Sequence, residues 1–356
     1  MIRLRLAALY KLMDEQKINV MIVKKPVNVH YLSGFRGDST ILIITRKRKI
    51  LITDARYTEQ AKVQAPDFEL VKQEEGLFKR TAEILNELGL RSTGFEGSVI
   101  TCDEHKKLKE LAPKLKLKSV KLDELRQVKT EEEISNIRQA CAIADKAFEH
   151  IVNFIKPGMT EIEVAARLEY VMRQLGSEKA AFDTIVASGL RGCYPHGRAS
   201  NKKIARGEFV TMDFGAVYNG YNSDITRTIC IGRADDRQRH IYNSLLKAQE
   251  FALTKIRIGA AGKAVDEAVR AELEKDGFAQ FFNHGLGHGV GLEIHEEPRL
   301  SKTSTCEALK QNMIVTDEPG VYIPNFGGLR IEDTVLVTDG DAEPLTKCSK
   351  KLIEIM

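Results

Sequence analysis

The sequence predicts a mixed α/β protein of two domains, and three observations lead to this class. The chain has 356 residues, which is longer than one typical domain. Its first part alternates strand-like apolar runs with helical segments, and its second part contains a weak internal repeat of helices and hairpins. Hydrophobic content of 43% and charged content of 29% are those of an ordinary globular protein.

The first predicted domain covers residues 1–125. The runs "INVMIVKKP", "STILIIT" and "KILITD" are typical of strands, whereas the opening segment and "LFKRTAEILNEL" are typical of helices. The pattern then changes to "KTEEEISNIRQACAIADKAFEHIVNFI", in which Thr130 and Glu133 have the spacing of a helix capping box. We therefore expect the second domain to cover residues 126–356.

A hairpin that carries two acidic residues is predicted early in the second domain. The strand-like runs "EFVTMDFGAV" and "DITRTICI" flank Asn219 and Gly220, a strong signal for a two-residue type I′ turn. This turn places Asp213 opposite Thr226 and brings Asp224 to the same face as Asp213, as a diagonal neighbour. Two such carboxylates repel unless a cation lies between them. Taken alone, the segment is equally compatible with two unrelated acids on a solvated face.

The internal repeat gives this hairpin a second copy. "IKPGMTEIEVAARLEYVMRQLG" aligns without gaps with "IRIGAAGKAVDEAVRAELEKDG", so that each copy has a turn followed by an amphipathic helix. "VTMDFG" aligns with "VTDEPG", which places Asp213 over Glu318, and "SDIT" aligns with "IEDT", which places Asp224 over Glu332. A duplicated unit with four acids at paired positions predicts an oxygen-rich metal site, suited to Mn²⁺, Co²⁺, Fe²⁺ or Zn²⁺ as a pair.

Histidines cluster in "NHGLGHGVGLEIHEEP", which contains three of the eight in the chain, namely His284, His288 and His295. The alternating glycines of this segment argue against a helix and favour strand or loop backbone in close approach to a neighbour. A lone buried histidine is more often structural, but a cluster beside four acids favours a functional site. The spacing alone does not decide between His284 and His288 as the ligand.

Several motifs together resemble the pita-bread metallopeptidases, in the branch that contains prolidase (Xaa-Pro dipeptidase) and aminopeptidase P. "YLSGFRGDS" and "LITDARYTEQA" are similar to the creatinase-type N-terminal domain. "IVASGLRGCYPHGRAS", "DFGAVYNGYNSDITRTI", "HGLGHGVGLEIHE", "EPGVYIP" and "GGLRIEDTVLVT" follow the catalytic domain in order. The resemblance implies a creatinase-like α/β domain followed by a pseudo-two-fold catalytic domain.

The resemblance also implies the roles of particular residues. The expected ligands of two divalent ions, Mn²⁺ with Co²⁺ or Zn²⁺ as alternatives, are Asp213, Asp224, His288, Glu318 and Glu332. Glu318 would accept the proton of the attacking water, His196 would lie at the substrate entrance, and His284 and His295 would stabilise charge on the substrate carbonyl. By strand alternation, Arg330 faces the same side as Glu332 and is expected to fix that carboxylate.

The implied activity is hydrolysis of the bond between an N-terminal residue and proline, most directly in Xaa-Pro dipeptides. Aminopeptidase P action on longer peptides is the alternative, and a metal-free peptide-binding module of the same fold is a more distant one. A creatinase is disfavoured by the complete ligand set, and a methionine aminopeptidase by the large N-terminal domain. The resemblance further implies a homodimer.

The sequence departs from the family pattern at Tyr194, Arg198 and Asp317, none of which removes a ligand. Tyr194 and Arg198 flank the expected entrance, so they bear on substrate preference. Asp317 precedes Glu318 on a strand, and alternation therefore turns it to the opposite side of the sheet. We expect it to be structural and held there by a Lys, an Arg or solvent, because an unpaired buried carboxylate is costly.

Composition excludes some partners and favours one compartment. The net charge of +4 is too small to suggest nucleic-acid binding, and we expect the basic run "KKLKELAPKLKLKSVK" to be a solvated face rather than a binding patch. No apolar run reaches the length of a membrane span, and the amphipathic start lacks the features of a signal peptide. Six scattered cysteines without a CxxC pair favour reduced thiols in a cytoplasm.

Overall fold

The computed structural model describes residues 2–356 and divides the chain into two compact units, with the division between Arg126 and Gln127. This division falls one residue after the boundary expected from the sequence. All six cysteines are free thiols. Within residues 2–356, no helix is both long and apolar enough to cross a membrane.

The first unit is a mixed sheet of six strands with helices. Its elements are α1 (Ile2–Glu15), β1 (Val20–Val23), α2 (Pro26–Ser33), β2 (Thr40–Thr45), β3 (Lys49–Thr53), α3 (Thr58–Gln64), β4 (Glu69–Lys72), α4 (Leu77–Leu88), β5 (Ser92–Phe95), α5 (Cys102–Leu111) and β6 (Lys116–Ser119). The strand order is β4-β3-β2-β1-β5-β6. Strands β1 and β2 are buried along their whole length, as their continuous apolar runs predict.

The predicted elements of this unit, α1, α4, β1, β2 and β3, are confirmed. The sequence did not reveal β4 and β6, because these edge strands are short, polar and largely exposed. The basic run forms much of α5 and β6, and Leu108 is the buried side chain of that helix. Its lysines therefore lie on a solvated face, as expected.

The second unit contains two copies of a helix-pair-on-sheet arrangement. The first copy consists of α6 (Glu131–Phe154), α7 (Glu161–Gln174), β7 (Ile185–Ser188), β8 (Glu208–Phe214), β9 (Val217–Tyr218), β10 (Tyr221–Asn222) and β11 (Ile225–Ile231). The second consists of α8 (Asp236–Leu253), α9 (Gly262–Glu274), β12 (Gly287–Gly289), β13 (Glu296–Leu300), β14 (Ile314–Asp317), β15 (Gly320–Ile323), β16 (Gly327–Arg330), β17 (Asp333–Leu336) and β18 (Glu343–Pro344). A last strand, β19 (Glu354–Ile355), joins the first sheet, whose order is β19-β11-β8-β7.

Each copy has its own apolar core between its helix pair and its sheet. Residues of α6 and α7 pack on β8 and β11 in one cluster, and residues of α8 and α9 pack on β14 and β17 in the other. This duplication confirms the repeat that was read from the sequence. The two sheets join where Glu332, just before β17, bridges Thr226 of β11 and donates its backbone N–H to the Thr226 carbonyl over 3.1 Å.

The predicted register of the first hairpin is confirmed. Strands β8 and β11 pair Asp213 with Thr226, and the short ladder of β9 and β10 pairs Tyr218 with Tyr221. Asn219 and Gly220 have φ angles of 49° and 81°, as a type I′ turn requires at both positions. The local turn chemistry therefore determines which residues of these strands share a face.

The glycines of the histidine segment allow close backbone packing, as predicted. A Cβ added to Gly287 would lie 2.0 Å from the carbonyl oxygen of Thr316, and one added to Gly289 would lie 2.4 Å from that of Glu297. Residue His288, between these two glycines, can therefore sit deep in the five-stranded sheet, whose order is β13-β12-β14-β17-β18.

Candidate metal centre

Three buried carboxylates meet where the two hairpins join. Asp213 lies near the end of β8, Asp224 just before β11 and Glu332 just before β17. One carboxylate oxygen from each lies within 4.8 Å of the others. Each of the three residues is at most 8% exposed. The sequence predicted this convergence, and strand alternation explains it, because all three acids face the same side of their sheets.

His288 and Glu318 extend the cluster. The His288 Nε2 lies 3.3 Å from the Glu318 Oε1 and 3.6 Å from the Asp224 Oδ2. Glu318 follows β14 directly, and its Oε1 also accepts a hydrogen bond of 3.1 Å from the Thr316 hydroxyl. All five residues expected as ligands therefore line one site.

The His288 ring shows why a cation suits this site. Its Nδ1 lies 3.1 Å from the backbone carbonyl of Gly289, and since a carbonyl only accepts, Nδ1 carries a hydrogen. The Nε2 then faces carboxylate oxygens, so a positive charge is favoured at that point. A neutral imidazole whose Nδ1 is held by a carbonyl presents its Nε2 lone pair to a metal ion.

Arg330 binds one side of the cluster. Its guanidinium donates to the Asp213 Oδ2, to the Thr226 hydroxyl over 3.0 Å and to the Tyr322 hydroxyl over 2.6 Å. The direct partner is Asp213 rather than Glu332, which the sequence suggested. Arg330 reaches Glu332 through Thr226, whose hydroxyl donates to the Glu332 Oε2 over 2.6 Å.

The other oxygen of Asp213 is a buried acceptor without a partner. Within residues 2–356, no hydrogen bond reaches the Asp213 Oδ1, although the atom is shielded from solvent. Buried polar atoms are almost always satisfied, so an orphaned carboxylate oxygen beside two further acids is the arrangement that a metal ion completes. The donor set therefore fits hard or borderline divalent cations.

The pKa shifts of the clustered acids also indicate that a cation is favoured at this site. Burial, and after it the charge of Glu332, raises the pKa of the Asp224 carboxyl well above its usual range. Burial and the charge of Glu318 do the same to the pKa of Glu332. Burial also acts on Glu318, but His288 outweighs it and holds the pKa of Glu318 at about 2. Burial also raises the pKa of Asp213, although the charge of Arg330 opposes that shift, so one arginine does not compensate the cluster.

His284 belongs to a hydrogen-bonded chain beside the cluster. Its Nδ1 lies 2.8 Å from the Gly285 carbonyl, and its Nε2 accepts from the Tyr322 hydroxyl over 3.0 Å. Tyr322 in turn accepts from Arg330. Burial is the main cause that lowers the pKa of His284, so the ring is neutral near pH 7.

The five expected ligands line a cavity of about 630 Å³ together with His284, His196, His295, Arg330 and Arg299. His295 is exposed, and its ring centre lies 4.3 Å from that of His288. Burial and His288 lower the pKa of His295 to about 4, so this ring is also neutral near pH 7. The structure thus brings together every site residue that the sequence singled out.

The sequence reasoning missed Tyr322, Thr226 and Arg299. Tyr322 was detectable, because alternation along the chain from Glu318 through Gly320 places it on the cavity side. Arg299 gave no such signal, since it lies in β13, beyond the histidine segment. Within residues 2–356, its guanidinium has no ion-pair or hydrogen-bond partner.

Asp317 faces away from the cavity, as alternation predicted. Its Oδ2 accepts from the Gln249 side chain of α8 over 2.9 Å, and its cross-strand neighbour is Asp333. The partner is thus an amide and not the expected Lys, Arg or solvent, because Asp317 is fully buried and Lys350 and Arg227 both bind Asp333 instead. Burial and the charge of Asp333 raise the pKa of Asp317 well above its usual range, which favours the neutral acid.

Comparison with known proteins places this site in a family. Residues 135–339 match the model of metallopeptidase family M24, and residues 5–128 match that of the creatinase/prolidase N-terminal domain. The chain is 43% identical to the Xaa-Pro dipeptidase of Pyrococcus furiosus, over 98% of this chain and 99% of that protein.

Solved structures show the same likeness. The Xaa-Pro dipeptidase from Bacillus anthracis is 41% identical, covers 100% of both chains and superposes with a TM-score of 0.96. The X-Pro aminopeptidase from Thermotoga maritima is 36% identical, covers 98% of this chain and 99% of its own, and gives a TM-score of 0.92.

Asp317→Asn tests the assignment of this residue to the far side of the sheet. We expect the variant to keep the metal content of the wild type and a kcat within about tenfold, a barrier change below about 1.4 kcal/mol. The reason is that a neutral acid hydrogen-bonded to Gln249 is replaced by an amide of similar shape. Elemental analysis and steady-state kinetics are the measurements.

Glu318→Gln is the matched control, because it makes the same change one residue further along the chain. It is expected to lose metal and far more activity, since the side chain faces His288 in the cluster. An Asn variant at position 317 that is as inactive as this Gln variant would show that the two strand faces are assigned wrongly.

Proposed function

We take as our premise that the chain belongs to metallopeptidase family M24, and we propose that it hydrolyses the bond between an N-terminal residue and a following proline, with Xaa-Pro dipeptides as preferred substrates. One observation carries the proposal: Asp213, Asp224, Glu332, His288 and Glu318 converge in one cavity. End-to-end similarity to proteins named Xaa-Pro dipeptidase supports the substrate class.

The proposed cofactor is a pair of divalent cations, with Mn²⁺ preferred and Co²⁺ or Zn²⁺ as alternatives. The five converging residues would hold them. Such ions lower the pKa of water and polarise a carbonyl group. Oxygen-rich sites with one imidazole accept several of these metals, so the choice is tested by elemental analysis.

Glu318 is the proposed proton carrier. Its carboxylate accepts from Thr316, which orients it, and it borders the cavity where substrate enters. It would take the proton of the attacking water and deliver it to the proline nitrogen as the peptide bond breaks. Proline nitrogen has no hydrogen in the substrate, so this delivery creates the secondary amine of the product.

His284, His295 and His196 are the proposed substrate-facing imidazoles. His295 is neutral near pH 7, so it can stabilise charge on the scissile carbonyl by donating a hydrogen bond from its protonated ring nitrogen. His284 keeps its Nδ1 hydrogen on the Gly285 carbonyl, so its Nε2 would donate to the substrate oxygen only after taking up a proton. His196 is exposed and lies at the cavity entrance.

The charge of the cavity favours a dipeptide over a longer peptide. Arg299 lines the cavity and, within residues 2–356, has no acidic partner, whereas Arg198 at the entrance pairs with Asp183 over 2.8 Å. A dipeptide places its free carboxylate one residue beyond the scissile bond, where a guanidinium can bind it. A longer peptide has a neutral amide there.

Two alternatives are weaker. Aminopeptidase P action is supported by the likeness to the X-Pro aminopeptidase of Thermotoga maritima, but it gives Arg299 no anionic partner. A metal-free peptide-binding module has no use for five converging ligand-type side chains.

Hydrolysis of Xaa-Pro dipeptides is the first test. Protein supplied with Mn²⁺ is expected to cleave Xaa-Pro faster than Xaa-Pro-Xaa, measured as kcat/KM by release of the first amino acid. Chelator should abolish cleavage of both, and added Mn²⁺ or Co²⁺ should restore it, because the cations supply the activated water. Full activity in metal-free protein would contradict the proposal.

Arg299→Met separates dipeptide from tripeptide recognition. We expect it to raise the KM for the dipeptide about tenfold, the loss of roughly one charge-assisted contact of about 1.4 kcal/mol. The tripeptide KM should barely change, which makes the tripeptide the internal control. Equal losses for both substrates would remove the argument for a dipeptidase.

A homodimer in the cytoplasm completes the proposal. Closed two-fold pairs are the commonest soluble oligomers, and six free thiols suit a reducing compartment. Light scattering at micromolar concentration is expected to return twice the mass of the 39.9 kDa chain. A monomer mass, or recovery of the protein outside the cytoplasmic fraction of cells, would count against this part.

A further inference from the structure

Glu161, in the first turn of α7, is a fully buried carboxylate outside the metal cluster. It accepts five hydrogen bonds: 2.8 Å each from the backbone N–H and hydroxyl of Ser188, 3.1 Å and 2.6 Å from those of Ser200, and 2.9 Å from the Arg191 Nε. A carboxylate has about four lone-pair sites, so this group has no acceptor capacity left over. A carboxylate whose acceptor sites are all occupied fixes the position of its donors, which indicates a positioning role for Glu161.

The donors bracket one stretch of chain, residues 189–200, which we call the entrance segment. Ser188 immediately precedes it, Ser200 is its last residue, and Arg191 lies within it. Arg191 also donates to the Arg198 carbonyl over 2.5 Å, so the contact with Glu161 extends across the segment. Glu161 thus holds both ends of the segment at a single point.

The entrance segment supplies part of the cavity wall. Pro195, His196 and Arg198 all line the cavity. The middle of the segment is tied to the metal cluster, because Arg330 donates to the Pro195 carbonyl over 3.3 Å as well as to Asp213. Among the described residues 2–356, no hydrogen bond or ion pair holds the exposed His196 side chain, so its position follows from that of the segment.

The second copy of the repeat shows that the fold itself does not require this carboxylate. The residue aligned with Glu161 is Gly262, at the start of α9, where an added Cβ would lie 2.3 Å from the Arg299 carbonyl oxygen. There the backbone at Arg299 packs directly against the start of α9. Glu161 therefore serves the longer entrance segment of the first copy and not the helix-and-hairpin unit in general.

We propose that Glu161 is a positioning residue that clamps the entrance segment and thereby places His196 against the substrate. The kinetic part of this inference rests on the proposed function, whereas the clamp itself does not. Because the metal ligands lie on other elements, loss of the clamp should weaken substrate binding and leave metal content unchanged.

Glu161→Gln is the test, made in the full chain loaded with Mn²⁺. The amide turns two donor hydrogens toward groups that are themselves donors, so the clamp opens. We expect KM for the Xaa-Pro dipeptide to rise about tenfold while kcat falls less than about threefold. Hydrogen exchange of residues 189–200 should become faster, and metal content should not change.

Glu163→Gln is the matched control, two residues along the same helix. Glu163 is exposed and accepts from the Thr160 backbone N–H and hydroxyl in a capping box, a task that Gln also performs. Its exchange rates, KM and kcat should equal those of the wild type. Equal exchange of residues 189–200 in both variants would overturn the clamp, as would loss of metal from Glu161→Gln.

A double-mutant cycle tests whether the clamp acts through His196. In a His196→Ala background, Glu161→Gln should change KM by less than about twofold, because the side chain that it positions is gone. A repeated tenfold loss would overturn the assigned route.

Ser200→Ala keeps the test decisive if Glu161→Gln does not fold. This variant removes one of the five donors and should raise KM by roughly threefold and speed exchange in the entrance segment. Unchanged values would overturn the proposal. If the wild type cleaves no Xaa-Pro dipeptide, the proposed function fails, and the exchange comparison still decides the clamp.

Discussion

Repulsion among buried carboxylates is the constraint on which the second unit depends. Asp213, Asp224 and Glu332 lie within 4.8 Å of one another, and Glu318 is joined to them through His288. Burying like charges this close is unfavourable unless a positive charge compensates them. Arg330 supplies part of this charge, and the orphaned oxygen of Asp213, directed to the acid cluster, fits bound cations as the source of the remainder.

The opposite face of the same strands solves a similar problem with protein groups alone. Asp333 follows ligand Glu332, yet it faces Arg227 and Lys350 at 2.8 Å and 2.7 Å. Arg227 also donates to the carbonyls of Thr226 and Glu332, and so holds the bridge that joins the two sheets. One side of the sheet is thus neutralised permanently and rigidly, whereas the other is left for exchangeable cations. This difference explains why alternate residues on one strand have unrelated roles.

Local rules made much of this predictable. The Asn219-Gly220 turn determined the register of the first hairpin, and the repeat carried its acids onto Glu318 and Glu332. What the sequence could not give depends on tertiary contacts. In the first hairpin Met212, the counterpart of Asp317, pairs with Arg227, whose counterpart is Val335. The repeat alignment alone would therefore pair Asp317 with Val335, but the structure pairs it with Asp333. Likewise, the hydrogen bond of Arg330 to Asp213 joins strands that are far apart in sequence. The clamp at Glu161 depends on how the entrance segment, which is not part of the repeat, folds back to place Ser200 beside α7.

The most direct measurement of the central claim is the free energy of unfolding of wild type and Asp224→Asn, each with chelator and with Mn²⁺. Within residues 2–356, no hydrogen bond reaches the Asp224 carboxylate, and the His288 Nε2 lies 3.6 Å from its Oδ2, so an amide loses little there. With chelator, the Asn variant should be more stable by about 1–2 kcal/mol, because the amide does not carry the cost that burial places on the ionised form of this carboxyl. With Mn²⁺ the order should reverse, since the wild type alone keeps the complete ligand set. An Asn variant that is less stable under both conditions would contradict the account.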